Sequence, residues 1–182
     1  MQRFTQGFYG YVVAMLVCLA GVGVFLLVTP QSRTEHIPRI DFSIDLANMR
    51  RAAPYQVWSP DPVLAGWVPT SSRQTGEKGA DGKAAVTWKL GFATARRAHA
   101  MLGQSDEGPP AGFANRMANT NEVTGSVQIN GVTWEQRFRK DKNQRSLVRL
   151  LPDVTLVVTG TAEWDELSAL AGSLKQQSKI AS

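Results

Sequence analysis

Three hydrophobic patterns follow one another along this chain, and each predicts a different kind of element. The first is an unbroken apolar run, Phe8 to Val28 (FYGYVVAMLVCLAGVGVFLLV), uncharged and lying between Arg3 and Arg33. At ~1.5 Å per helical residue it reaches roughly 30 Å, the thickness of a bilayer's hydrocarbon core. It predicts one transmembrane helix over 8–28, after a short tail over 1–7 and before a stalk over 29–40 that carries Pro30, Pro38 and mixed charges. Residues 41–182 then form one further domain.

The second pattern has a helical period. Phe42, Leu46, Met49 and Ala53 fall on one helix face behind Asp41, a candidate N-cap, and Pro54 ends the run. At the other end of the domain, Trp164, Leu167, Leu170, Ala171 and Leu174 form a second such face. Thr161 is its expected cap, Glu163, Asp165 and Glu166 stand in its first turn, and Lys175 and Lys179 come last, the charge order a helix dipole favours. A short helix is also expected over 113–121.

Between these helices the period is two. A short extended piece over 55–59 leads through Pro60-Asp61-Pro62, and Gly66-Trp67-Val68-Pro69 begins another. Val86, Trp88, Leu90 and Phe92 alternate with Thr87, Lys89 and Gly91, which reads as a half-buried strand. A turn over 94–97 returns the chain into a strand over 98–104, and a loop follows over 106–112. Asn130-Gly131 suits a two-residue hairpin turn. In that register Val127, Ile129, Val132 and Trp134 share a side with Phe138, and Thr133, Glu135, Arg137 and Arg139 face solvent. A charged turn over 140–144 precedes strands over 146–151 and 154–159. Residues 71–85, SSRQTGEKGADGKAA, are polar and glycine-rich and read as a flexible loop. Gly82-Lys83 within it does not make a phosphate-binding loop, because no glycine lies five positions earlier and Ala84 stands where a Ser or Thr would bind magnesium. The expected fold is α+β: an N-terminal transmembrane helix, then an antiparallel-sheet domain with helices packed on one face.

Composition narrows the function. The 182 residues leave room for a single domain beyond the helix. Net charge is +5, and since Arg3 is the only charge before residue 31 the remainder carries +4, too little to argue for nucleic acid. The one cysteine, Cys18, lies inside the apolar run, so the domain has neither disulfide nor thiolate ligand. With two histidines, His36 and His99, the sequence implies no zinc site and no cofactor. The apolar run is too long for a signal peptide and lacks a convincing cleavage site, so it reads as a signal-anchor. Lys and Arg at its two ends nearly tie, but long domains translocate largely regardless of charge. The N-terminus is therefore expected on the cytoplasmic side of the cell membrane and the domain outside. Gly10, Ala14, Cys18 and Gly21 form a small-residue stripe of the kind helix pairs use, although Gly and Ala are common in any membrane helix. The oligomeric state does not follow.

The ordered set Arg50-Arg-Ala-Ala-Pro-Tyr55, Gly66-Trp67, Trp88-Lys-Leu-Gly-Phe92, Asn130-Gly131-Val-Thr-Trp134, Leu147-Val-Arg149 and Val157-Val-Thr-Gly-Thr-Ala162 resembles a family of single-pass actinobacterial membrane proteins, domain of unknown function 4245. The resemblance implies placement in a Gram-positive-type envelope. It brings no activity, cofactor or catalytic residue. The order of hairpins followed by a helix is also similar to small extracytoplasmic sensor domains of anti-sigma-factor type, an analogy of fold alone.

Candidate chemistry is sparse. His99 is available to a nucleophilic triad, but no Gly-x-Ser-x-Gly elbow exists, and a plain strand histidine is the sounder reading. Asp61, Asp81, Asp106, Glu107 and Asp153 sit in loops with nothing to pair them as a glycosidase requires. The densest cationic stretch, Arg137, Arg139, Lys140, Lys142 and Arg145, extending to Arg149, is the candidate site for an anionic partner, an envelope protein or wall polymer, against the simpler reading of a solvated hairpin tip. No aromatic is interleaved there to stack nucleic-acid bases. Of the five tryptophans, Trp88, Trp134 and Trp164 are expected in the core, and Trp58 and Trp67 are candidates for a groove. The expected function is a non-enzymatic, membrane-anchored binding or sensing module, held by lipid through its helix. The alternatives are an envelope hydrolase or an accessory subunit of a membrane complex.

Overall fold

A computed structural model describes residues 4–28, 38–78 and 84–180. Most of the expected stalk, and Gly82-Lys83 with Asp81, lie outside the described residues. The chain forms two compact units, Met1–His36 and Ile37–Ser182.

The first unit contains α1 (Phe4–Val28), one continuous helix of 25 residues. Its side chains are described from Gly10 to Phe25, and the large apolar ones point outward on every side. Among the described residues no helix is long and apolar enough to cross a membrane.

The second unit is α+β, built from α2 (Ser43–Ala52), β1 (Trp58–Pro60), β2 (Val68–Lys78), β3 (Ala84–Ala93), β4 (His99–Ser105), α3 (Pro110–Ala118), β5 (Gly125–Ile129), β6 (Val132–Arg139), β7 (Gln144–Leu150), β8 (Thr155–Gly160), α4 (Trp164–Ser173) and β9 (Leu174–Gln176). Seven strands make one antiparallel sheet in the order β2-β3-β4-β8-β7-β6-β5, and β1 pairs with β9 as a separate two-stranded ribbon. The connection from β4 to β5 therefore carries the chain to the far edge, after which β5 to β8 wind back until β8 lies beside β4.

That crossing corrects the expectation of helices on one face. On one side of the sheet, Trp88, Leu90, Phe92, Leu102, Leu156 and Val158 meet Met49 of α2 and Leu167 and Leu170 of α4 in the main core. On the other side α3 lies across the sheet, and Phe113, Ala114 and Met117 pack with Val148 and Val157 as a second core. Along β8 every residue is buried, because neighbouring positions point to opposite faces and both are covered.

The ends of the elements refine other expectations. Within the expected loop over 71–85, residues 71–78 are strand instead: β2 continues to Lys78 in register with β3, from Ser71 opposite Gly91 to Lys78 opposite Ala84, while 79–83 lie outside the described residues. The third helix begins three residues earlier than expected, with Pro110 at its start, where a missing N–H costs nothing, and stops at Asn119 in the left-handed region (φ 53°). The N-cap position of α2 is Phe42, while the Asp41 carboxylate accepts the Ser43 N–H at 2.9 Å. Thr161 does not cap α4. Its hydroxyl accepts the His99 N–H, and Glu163 holds the cap position without a side-chain bond. The helix ends at Ser173, so Lys175 and Lys179 lie beyond it, and Leu174 reaches the core from β9. The Asn130-Gly131 hairpin has the expected register, Ile129 opposite Val132 and Val127 opposite Trp134.

Candidate functional site

The β6–β7 hairpin divides its cations by parity. Odd positions of β6 point toward α3, whereas Arg145 of β7 lies opposite Phe138 and shares the main-core side of the sheet with it. The five expected ligand residues therefore do not make one surface.

Arg137 does not face solvent. It is 5% exposed beneath the end of α3, where Nη1 donates to Asn115 Oδ1 (2.7 Å) and to the Thr120 carbonyl (3.3 Å) and Nη2 donates to Glu135 Oε2 (3.0 Å). Its Nε is buried without a partner. This guanidinium ties the α3–β5 connection to the sheet and is closed to a ligand. Arg139 is half turned inward: Nη1 donates to the Asn119 carbonyl (2.8 Å), while Nε and Nη2 hold Asp141 at 2.9 and 3.1 Å. That hydrogen bond is the chief reason the Asp141 carboxyl titrates below its ordinary range. Lys140 and Lys142, on a single 3₁₀ turn that closes at Asn143 (φ 45°), are exposed, and among the described residues their side chains have no hydrogen-bond or ion-pair partner.

Arg145 stands over the Phe138 ring (5.4 Å to the centroid), pairs with Glu163 (2.9 Å) and donates to Asn143 Oδ1 (3.3 Å). With Thr124, Gln136, Phe138 and Trp164 it lines an open groove of about 310 Å³. Trp164, expected in the core, packs against the core and also forms one wall of this groove. Phe138 and Trp164 are the groove residues that sequence reasoning missed, because nothing local places a helix start beside the end of β6. Arg149 is stacked on Trp58 (5.3 Å) and Trp67 meets Phe92 edge-on (6.0 Å), so both groove candidates are core-packed.

The acids expected in loops have structural partners. Asp106 Oδ1 accepts the Val86 N–H (2.7 Å), and the buried Glu107 carboxylate is gripped by both terminal nitrogens of Arg116. These two line a shallow cleft of about 40 Å³ with Asp153, and two of its three carboxylates are already engaged. Asp61 lines a different groove beside Asp41. His99 makes no side-chain hydrogen bond among the described residues, and partial desolvation holds its imidazole below the ordinary histidine range. Among the described residues no nucleophile–base–acid chain is assembled around it.

In α1, Gly10, Ala14, Cys18 and Gly21 are exposed, and a Cβ at Gly10 or Gly21 would meet nothing within 4 Å.

A family model described as "Protein of unknown function (DUF4245)" matches residues 3–174. No curated protein matches the chain.

Proposed function

The chain belongs to the DUF4245 family, and from that premise we propose that it is a single-pass, membrane-anchored binding module without catalytic activity, its N-terminus cytoplasmic and its α+β domain outside the cell membrane. The observation that carries this reading is α1. Val13, Met15, Leu16, Val17, Leu19, Val22, Val24 and Phe25 are each more than half exposed, on all sides of the helix. A helix apolar all round is stable only inside a large core or in lipid. The uncharged run in the sequence extends past the described side chains at both ends, to Phe8 and to Val28.

Within the domain, the free cations of the hairpin tip, Lys140 and Lys142, are the point of contact for an anionic envelope partner, with Arg139 behind them. Arg137 and Arg145 support the tip from opposite faces of the sheet. The reading is tested by washing membranes that contain the full chain with alkaline carbonate. The full chain stays in the pellet, and a chain lacking residues 4–28 is released. Release of the full chain overturns the anchor. Salt-sensitive retention on an anionic polymer weakens in K140A/K142A; unchanged retention removes the tip from the proposal.

A further inference from the structure

The second face of the sheet is only half covered. Helix α3 lies over β8, β7 and β6 and reaches β4 at Gly103, where an added Cβ would meet Met117 and Phe113. Beyond that line, over β2, β3 and the outer half of β4, no helix lies on this face among the described residues. The register places Ser71 opposite Gly91 and Arg73 opposite Lys89 there, with Met101 beside Gly91 and His99 opposite Ala93.

Three features of this half-face are unexplained by the fold. Arg73 and Lys89 are like charges directly opposite one another, an arrangement that destabilises an antiparallel pair. Among the described residues neither side chain has a hydrogen-bond or ion-pair partner. Next to them the register of β2 slips between Pro69 and Ser71, and this bulge turns the Thr70 hydroxyl to the same side as that of Ser71. Finally, polar atoms converge on the hollow left by the missing side chain of Gly91. From the place a Cβ would occupy, Thr70 Oγ1 is 3.6 Å and His99 Nε2 3.7 Å away, and Ser71 Oγ is closer still.

From this juxtaposition we infer a binding site for a phosphate-type oxyanion, floored by Gly91, with Arg73 and Lys89 supplying charge and Ser71, Thr70 and His99 supplying hydrogen bonds. A guanidinium fork and an ammonium match several oxygens of one tetrahedral anion, and the bound charge removes the repulsion between them. A charged edge that merely keeps β2 from pairing with another chain would need Arg73 alone. Lys89 is on the interior strand β3, and the converging hydroxyls serve no such purpose. The site shares no residue with the hairpin tip, and it stands whether or not the tip binds.

The test uses the full chain in a phosphate-free maltoside detergent, with labelled methionine methyls and histidine rings. The chain has five Met and two His, so Met101 and His99 are readily assigned. Inorganic phosphate at constant ionic strength shifts both signals saturably, and chloride does not. R73A/K89A weakens this binding roughly fivefold to twentyfold, as expected for two partly exposed ion pairs, with no fall in thermal midpoint. G91A, whose methyl meets the Ser71 hydroxyl, weakens it as well. K140A/K142A leaves it unchanged. In nanodiscs containing phosphatidylglycerol, signals already at their phosphate-saturated positions identify a lipid headgroup as the source, and signals that still titrate identify a soluble phosphate. A shift that does not saturate, or equal affinity in R73A/K89A, overturns the site.

Discussion

A guanidinium closed off from water needs its donors used, and Arg137 uses its terminal nitrogens on Asn115, Thr120 and Glu135. Replacing it with alanine strands the Asn115 and Thr120 oxygens and opens a void, so R137A loses about 2–4 kcal/mol in denaturant unfolding. K140A/K142A changes stability by less than about 0.5 kcal/mol, because both side chains are exposed and neither has a polar partner among the described residues. Alternation along β6 predicts that Arg137 opposes Trp134 and Phe138, and it does. What alternation cannot carry is whether the far side is covered, since the covering helix is nearly twenty residues away in sequence. Tyr55 makes the complementary case. Its hydroxyl donates to the Val86 carbonyl (2.9 Å) in the core, and burial, aided by the nearby Asp106 charge, pushes its pKa far above the usual phenol value. The unfolded chain releases this proton near pH 10 and the folded chain does not, so the contribution to stability is complete below about pH 10 and declines as pH rises beyond it. Y55F costs about 1 kcal/mol at neutral pH and shows a shallower loss of stability between pH 10 and 11 than the parent, measured by urea unfolding at each pH.

At the scale of elements, legibility follows from whether the determinant is local. The β5–β6 hairpin is legible because Asn130 (φ 52°) and Gly131 (φ 77°) supply the positive φ its turn requires, and the Asn130 amide also donates to the Gly172 carbonyl at the end of α4. Around Gly131 there is open space for a methyl group, so G131A suffers backbone strain alone, about 1–2 kcal/mol by thermal or urea unfolding, with the hairpin register retained in amide exchange. Strand β2 is illegible for the opposite reason. As an edge strand it pairs with β3 alone, its odd positions from Ser71 onward lie on the uncovered half-face, and a polar, glycine-bearing sequence suffices once β3 supplies the template. Reading it as a loop also hid the one place where β2 and β3 set two cations side by side. The placement of α3 was hidden by topology: the strands around it read as consecutive hairpins, and only the pairing of β4 with β8 obliges the intervening chain to cross a face. A hint was present in Val154-Thr-Leu-Val-Val158, too continuously apolar for a strand buried on one side only.

For the whole molecule, charge and apolar surface are segregated along the chain. All acidic side chains and all but one of the basic ones follow residue 31, whereas the apolar run before it holds the only thiol. This separation makes the proposed topology directly measurable. With Cys18 replaced by serine the chain has no thiol, and Ser126, exposed on the edge strand β5, accepts a reporter cysteine without disturbing the core. If the domain lies outside, a membrane-impermeant maleimide added to intact cells labels C18S/S126C, and a thiol placed in the tail at Gln2 is labelled only after lysis. The near tie of Arg3 against Arg33 and Arg39 means that the positive-inside rule exerts little force here, so the outcome turns on whether a long folded domain is translocated behind a short leader. Labelling of S126C only after lysis would place the domain in the cytoplasm, where wall polymers are absent, and would withdraw the envelope partner while leaving the phosphate site on β2 and β3 untouched.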